Sequence, residues 1–280
     1  MLRDTGSPRA DAEADFLRAR RLQVIAAMGS RMLLEEDGDR KALSFQEVVD
    51  ALGMVNEVSL GLHIIPVDRI VGSVDKVRDF DPKFRPRSGR NRQRFERIAE
   101  AVRRGESLPP IDVYRIGDMH FVRDGHHRVA VYRALGLPTI EADVRLVSTL
   151  VEPDDVRQHS DLAARELRRL FLQRVPLSKS QRRAVHLSRA EQYPWLAEMV
   201  EAWTARLMFA EGDVLNRIRA AHRWYAEEFV PVTALIEEGE LVEKGETAAD
   251  AYMRVAGERY SVFHEHRWDP EVIAELRRRD

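Results

Sequence analysis

The residue types best suited to chemistry are concentrated in one short stretch, Asp124-Gly125-His126-His127-Arg128. An apolar strand-like run precedes it, and apolar residues at helical spacing follow it, which predicts a strand, a turn and a helix. A glycine at such a turn lets the backbone approach a ligand closely. The first amides of a helix lack acceptors, and the helix dipole favours an anion there. The pattern predicts a phosphate site, with His126, His127 and Arg128 supplying charge or hydrogen bonds.

Asp124 is the candidate for catalysis and for metal binding in this stretch. It could position a water or assist a magnesium ion, because nucleotide-bound magnesium uses phosphate oxygens and one or two carboxylates. A structural interpretation of the same residues stays open: Arg128 pairs with a carboxylate, one histidine caps the turn and Asp124 forms it. A protein-only zinc site is not expected, because His126 and His127 diverge and His264-Glu265-His266 do not share a helix face.

A basic run from Lys83 to Arg97 is the second feature with chemical potential. It is interpreted either as an arm that contacts the phosphates of a nucleotide or of nucleic acid, or as a solvated loop. The formal net charge of the chain is −2, which favours a nucleotide over nucleic acid as the partner of this run.

Composition excludes several classes of function. The 280 residues contain no cysteine, so disulfides, cysteine-ligated metal centres and thiol nucleophiles are excluded. Hydrophobic residues make up 44%, which is typical of a globular protein. No apolar run approaches the length of a membrane span, so we expect no membrane association and a cytoplasmic protein.

The elements that must position these residues form an α+β plan. Residues 1–58 are predicted to be a helical segment, with a helix over 10–34, a turn at 37–39 and a capping box at Ser44. Residues 59–148 are predicted to form a small mixed sheet, with strands over 63–71, 111–114, 119–122 and 140–144 and helices at 95–102 and 129–135. Residues 149–280 are predicted to be all α.

Three stretches of the sequence resemble conserved segments of the ParB/sulfiredoxin superfamily. The stretch from Asp124 to Ala130 resembles its second box, which is Gly-Glu-Arg-Arg in partition ParB proteins and Gly-Cys-His-Arg in sulfiredoxins. Residues 65–70 resemble its opening strand and residues 109–113 its Pro-Pro-Ile strand. The resemblance covers about a third of the chain. The whole chain also resembles a bacterial family that joins a ParB-like domain to a helical C-terminal region.

The resemblance implies a nucleotide, ATP or CTP, bound with Mg²⁺. Gly125, His127 and Arg128 would then hold phosphates, and Arg94 or Arg97 would join them from the helix after the basic loop. The reactive cysteine of sulfiredoxins falls at His126, so their reaction is ruled out. Serine kinases of the superfamily carry a catalytic glutamate where this chain has Gly72-Ser73. The resemblance therefore does not extend to the catalytic residue of the serine kinases, and Ser73 is a candidate phosphate-site residue.

The leading hypothesis is a nucleotide-binding protein that could act as an NTPase or phosphotransferase. One alternative is a DNA-binding partition-like or transcriptional regulator, whose binding would depend on Arg85, Arg87, Arg182 and Arg183. Another is a non-catalytic scaffold for a protein partner. A homodimer is also left open.

Overall fold

The computed structural model describes residues 5–32, 43–75, 79–154, 156, 159–263, 268, 272, 277 and 278. The chain divides into two compact units, residues 1–163 and 164–280. The segment boundaries predicted at 58/59 and 148/149 stay predictions. The predicted turn at 37–39 and His264-Glu265-His266 lie outside the described residues.

The first unit is built around one mixed sheet. Its strands are β1 (Leu43–Ser44), β2 (Met54–Pro66), β3 (Ile70–Ser73), β4 (Ile111–Ile116), β5 (Met119–Asp124) and β6 (Thr139–Thr149), in the order β1-β3-β5-β4-β6-β2. Parallel pairs join β1 to β3, β3 to β5 and β4 to β6, whereas β4–β5 and β2–β6 are antiparallel. The predicted α+β fold with a small mixed sheet is confirmed.

Among the described residues of this unit, four α-helices pack within it and a fifth begins at its end. They are α1 (Pro8–Met32), α2 (Phe45–Leu52), α3 (Arg92–Arg103), α4 (His126–Leu135) and α5 (Ser160–Arg174). Helix α4 is buried on two sides. Val129 joins a core with the sheet residues Ile111, Val113 and Val144. Ala130, Val131 and Leu135 join a second core with residues of α1 and α3, including Phe16 and Phe95.

Local sequence accounts for the hairpin and for the end of α4. Gly117, at a φ of 57°, and Asp118 form the two-residue turn between β4 and β5, as predicted from a glycine in a hairpin loop. Gly136 has a φ of 68° and its amide donates to the carbonyl of Arg133, which is the expected glycine C-cap. Both predictions are confirmed.

Two local predictions were wrong. The single strand predicted over 63–71 is two strands, because a 3-10 turn over Val67–Arg69 separates β2 from β3. Strand β2 begins at Met54, because it pairs with β6 over nearly its whole length. Ser44 precedes α2, but its side chain makes no capping hydrogen bond. Ser44 is a strand residue that pairs with Ser73, and this extended backbone starts α2 without a capping box.

The second unit is helical. After α5 it contains α6 (Lys179–Ala184), α7 (Tyr193–Glu211), α8 (Arg217–Trp224), a π-helical turn over Tyr225–Phe229, α9 (Val230–Glu238) and α10 (Ala248–Phe263). Trp224 is fully buried and its ring lies 5.3 Å from Phe229 and 6.0 Å from Tyr252. None of the described helices combines the length and apolar character needed to cross a membrane.

Candidate functional site

The junction of β5 and α4 is shaped by Gly125. This residue has a φ of 101°, in the left-handed region, and α4 begins at the next residue. A Cβ added at position 125 would lie 2.4 Å from Cγ2 of Ile111, so a side chain does not fit there. The first backbone bond of α4 runs from the amide of Val129 to the carbonyl of Gly125, at 3.1 Å. The amides of residues 126–128 therefore precede the intrahelical bonds, as expected for an anion-binding helix start.

Ser73 and His126 form a buried pair behind this turn. Strand β3 lies parallel to β5, with Ser73 beside Val122, and this register brings the end of β3 next to the start of α4. The Ser73 hydroxyl lies 2.6 Å from Nε2 of His126. The side chains are only 1% and 2% exposed. The pair joins two chain segments 53 residues apart and fixes the histidine ring.

Aromatic side chains from the segment 79–87 cover both histidines. The His126 ring lies 6.1 Å from Phe80 and 6.4 Å from Phe84, nearly parallel to each. His127 meets Phe80 edge to face at 5.4 Å. His127 is 7% exposed. The two histidines are thus held in an aromatic environment, and the apolar wall above them was not predicted from the sequence.

Asp81 holds this covering segment in place. Its Oδ1 accepts hydrogen bonds from the amides of Lys83 and Arg85, at 3.0 and 2.9 Å, and its Oδ2 accepts one from Arg85 Nε at 2.7 Å. Phe84 follows with a φ of 57°, which the network around Asp81 supports. The loop is therefore tied down at its centre.

Arg128 is engaged by the protein itself. Its guanidinium donates to the carbonyls of Pro109 and Pro110, the latter at 2.6 Å, and to Oδ2 of Asp124 at 2.7 Å. The Arg128 side chain is 12% exposed and that of Asp124 59%. We call this set of contacts the Arg128 clamp, because it fastens the entry to β4 onto the first turn of α4. The Arg128–Asp124 ion pair agrees with the structural interpretation of the motif, in which Arg128 pairs with a carboxylate.

The remaining predicted site residues are two surface arginines. Arg94 and Arg97 are exposed on α3. Within the described part of the chain, no hydrogen bond or ion pair joins either arginine to the start of α4. The structure thus brings together Ser73 and residues 124–128, and it joins neither α3 arginine to them by a polar contact.

Sequence analysis missed three contributors to this region. Phe80 and Phe84 could not be selected because they lie at least 40 residues before the motif. Arg123 is exposed at the end of β5, directly before Asp124. Its adjacency to the motif was the signal that could have identified it, since a cation beside a helix start adds to an anion site.

The basic run is less available for nucleic acid than its composition suggests. Arg85 donates to Asp81 and to the carbonyl of Leu22. In the second unit, Arg182 Nε donates to the carbonyl of Leu177 at 2.8 Å. Two of the four arginines that the DNA-binding alternative requires are therefore bound to the protein itself. That alternative stays a prediction.

A metal site made by the protein alone is not found among the described residues. No group of three or more histidine, aspartate or glutamate side chains there could hold an ion. Asp124 is a single exposed carboxylate beside the helix start. The donor set fits a magnesium ion whose other ligands are phosphate oxygens and water, and fits no dedicated protein cage.

Comparison with known proteins identifies the domain. Residues 64–153 match the family model of the ParB N-terminal domain. The crystal structure of sulfiredoxin from Arabidopsis thaliana is similar at 22% identity, over 31% of this chain and 86% of that chain, with a TM-score of 0.25. No curated protein matches the chain. The family match shows that residues 64–153 form a ParB N-terminal-like domain, as predicted, and the matched range includes the whole region from Ser73 to Arg128.

Proposed function

We propose that the ParB/sulfiredoxin-like domain binds a nucleotide through its phosphates at the first turn of α4. The observation that carries this proposal is the left-handed Gly125, whose Cα packs against Ile111 where no Cβ fits. This packing places the start of α4 directly after β5, and, as at the start of any α-helix, the amides of residues 126–128 precede the intrahelical ladder. Such amides, at the positive end of a helix dipole, are suited to phosphate oxygens.

The surroundings support an anionic ligand at this end of the helix. The buried Ser73–His126 pair and the aromatic cover on His127 hold the first turn in one conformation, so the amides need little reorganisation on binding. Arg123 is an exposed cation next to the turn. Arg128 holds the Pro109–Pro110 segment and contributes positive charge at the helix start, while its hydrogen bonds go to protein carbonyls and Asp124.

Magnesium would accompany the nucleotide rather than precede it. Asp124 would be the protein carboxylate that holds it, and the ion would screen phosphate charge. Any catalytic role of Asp124 in hydrolysis or phosphoryl transfer requires it to leave its hydrogen bond with Arg128 or to act from within that pair. The binding proposal does not depend on turnover.

Backbone NMR of the full chain tests the site directly. ATP, CTP, GTP and inorganic tripolyphosphate would be titrated with magnesium while amide signals are followed. We expect saturable shifts of the amides of residues 125–128, and small shifts at Arg133 and Gly136 at the other end of the helix. At about a hundred times its dissociation constant, the preferred nucleotide should stabilise the fold by roughly 2.7 kcal/mol.

Two variants separate the contributions to binding. Arg123→Gln removes an exposed cation beside the turn and should weaken nucleotide binding several-fold. Arg145→Gln, which removes an exposed cation from β6, is the matched control and should leave affinity unchanged. Absence of saturable shifts at residues 125–128 with all four compounds would show that the proposal is wrong, and titration with DNA and candidate protein partners would follow.

A further inference from the structure

A second polar cluster lies at the beginning of β5, away from the α4 turn. Arg115 of β4 and His120 of β5 are register partners. Because side chains alternate along a strand, both lie on the same sheet face as Val113 and Val122, which form the core against α4. Gly125 follows the other end of β5. At the usual rise of a strand, His120 lies roughly 16 Å from it along the chain direction.

This cluster lines a cavity of about 280 Å³. Its polar residues come from four separate elements: His63 from β2, Arg69 from the turn before β3, Arg115 from β4, and Asp118 and His120 from the β4–β5 hairpin. Apolar side chains of β2 and β6 form the remaining walls. Most of these polar groups sit on or beside paired strands, so the cavity is bounded by a rigid frame.

The charges around the cavity favour an anion. Arg69 faces Asp118 at 3.7 Å, and both side chains are more than half exposed, so this pair is weak and screened by solvent. Arg115 Nε donates to the carbonyl of Gly117 at 2.8 Å. Among the residues that the structure describes, no carboxylate forms an ion pair with Arg115. Two guanidinium groups therefore face one exposed carboxylate.

His120 is the independent sign that a ligand is accommodated here. Its side chain is 6% exposed, and its buried Nδ1 has no hydrogen-bond partner. Burial, followed by the positive charge of Arg115, lowers the pKa of His120 from 6.5 to about 4. The ring is thus neutral at neutral pH, with an unsatisfied nitrogen beside two cations. Buried polar atoms without a partner are rare and call for a specific explanation.

We propose that this cavity binds a small tetrahedral oxyanion of the phosphate class, held by the guanidinium groups of Arg69 and Arg115 and by the ring of His120. A guanidinium fork matches two oxygens of such an anion. The negative charge would offset the repulsion between Arg115 and a protonated His120, so binding would be coupled to proton uptake at the imidazole. In the protonated ring, Nδ1 of His120 would donate a hydrogen bond to an oxygen of the bound anion.

This site is separate from the nucleotide site proposed at α4. It uses other residues, at the opposite end of β5, and neither proposal requires the other. In the amide titrations, a ligand at this site shifts residues 115–120, whereas a ligand at the α4 turn shifts residues 125–128. The two outcomes can therefore be told apart in a single experiment.

The test is calorimetric and NMR titration of the full chain with inorganic phosphate and with sulfate, at fixed ionic strength set by chloride. We expect saturable binding of both anions with shifts at residues 115–120. Arg115→Gln should lower the affinity by at least about tenfold, as expected for a charge-assisted contact. Arg145→Gln is the matched control, because Arg145 pairs with Tyr114 in register and lies on the opposite face of the sheet. The affinity of Arg145→Gln for both anions should be unchanged.

Sulfate serves for the pH experiment because its charge is constant across the range. Its affinity should rise several-fold from about pH 7.5 to about pH 5, and this rise should disappear in His120→Gln. The other groups that face His120 are Arg69, Arg115 and Asp118, with His63 on β2. His63→Gln is therefore included, and it should retain the pH dependence.

Any of four results would overturn the proposal. Two concern the site itself: no saturable binding of either anion, or amide shifts confined to residues 125–128. The other two concern the variants: equal losses of affinity in Arg115→Gln and Arg145→Gln, or a pH dependence of affinity that disappears in His63→Gln instead of His120→Gln. If Arg115→Gln does not give a folded spectrum, Arg69→Gln replaces it. The Arg69 side chain is 57% exposed, so its substitution leaves the core intact, and it should also weaken binding.

Discussion

The guanidinium of Arg128 and the carboxylate of Asp124, one turn apart at the start of α4, lie 2.7 Å from each other. The same guanidinium also donates to the carbonyls of Pro109 and Pro110. The arginine of the motif therefore holds together the start of β4 and the start of α4. A loss of ligand binding in an Arg128 variant would consequently mix a change in the site with a change in stability.

The Arg128 clamp should contribute measurably to stability without any ligand. Arg128→Ala should lower the free energy of unfolding by about 2–3 kcal/mol, because the carbonyls of Pro109 and Pro110 lose their charged hydrogen-bond donor. Asp124→Asn should cost less than about 1 kcal/mol, since that carboxylate is exposed and the pair is screened. Urea denaturation measures both. Equal losses in the two variants would contradict the clamp.

Gly125 should be far less replaceable than a glycine with the same kind of backbone elsewhere. Gly125→Ala combines a left-handed backbone with an overlap on Ile111, and should cost roughly 3 kcal/mol. Gly136→Ala is the matched control: its φ is also positive, but no atom lies within 4 Å of the added Cβ. It should cost roughly 1 kcal/mol. Comparable losses in denaturation experiments would mean that the close approach to Ile111 is not tight.

The Ser73–His126 pair should be detectable in the same way. Ser73→Ala removes a buried hydroxyl that lies 2.6 Å from Nε2 of His126, and should cost about 1–3 kcal/mol. It should also change the nitrogen chemical shifts of the His126 ring. Ser107→Ala, at an exposed serine, should change neither quantity. An unperturbed His126 ring in Ser73→Ala would show that the hydroxyl does not fix it.

The features predicted from the sequence are those encoded within a few residues. The hairpin at Gly117, the turn at Gly125 and the C-cap at Gly136 each depend on a glycine and its neighbours. The motif at 124–128 is therefore recognisable as one unit from the sequence alone. The ordered strand and helix signals, together with the resemblance, also gave the correct fold class.

Contacts between segments that are far apart in the sequence could not be predicted from these local patterns. Ser73 meets His126 across 53 residues, and Arg128 reaches Pro110 across 18. Both depend on the order of the strands in the sheet. The start of β2 at Met54 depends on its pairing with β6. Nearly all side chains of β2 are exposed, including the large apolar side chains of Val55 and Ile64. A pattern of alternating burial could not reveal it.

His120 should make the fold less stable in mild acid. Burial and Arg115 lower its pKa to about 4 in the folded state, against 6.5 for an unperturbed histidine. Between these values the unfolded chain binds the proton and the folded chain does not, so the free energy of unfolding falls as pH falls. This loss is absent above about pH 7 and complete near pH 4, where it amounts to roughly 3 kcal/mol.

Denaturation of the protein and of His120→Gln at several pH values, without phosphate or sulfate, isolates this contribution from that of the carboxylates. The His120→Gln curve should be flatter between about pH 6.5 and pH 4, while the exposed His63→Gln should keep the steep dependence. Parallel curves for all three proteins would mean that His120 is protonated as readily in the folded chain as in the unfolded one.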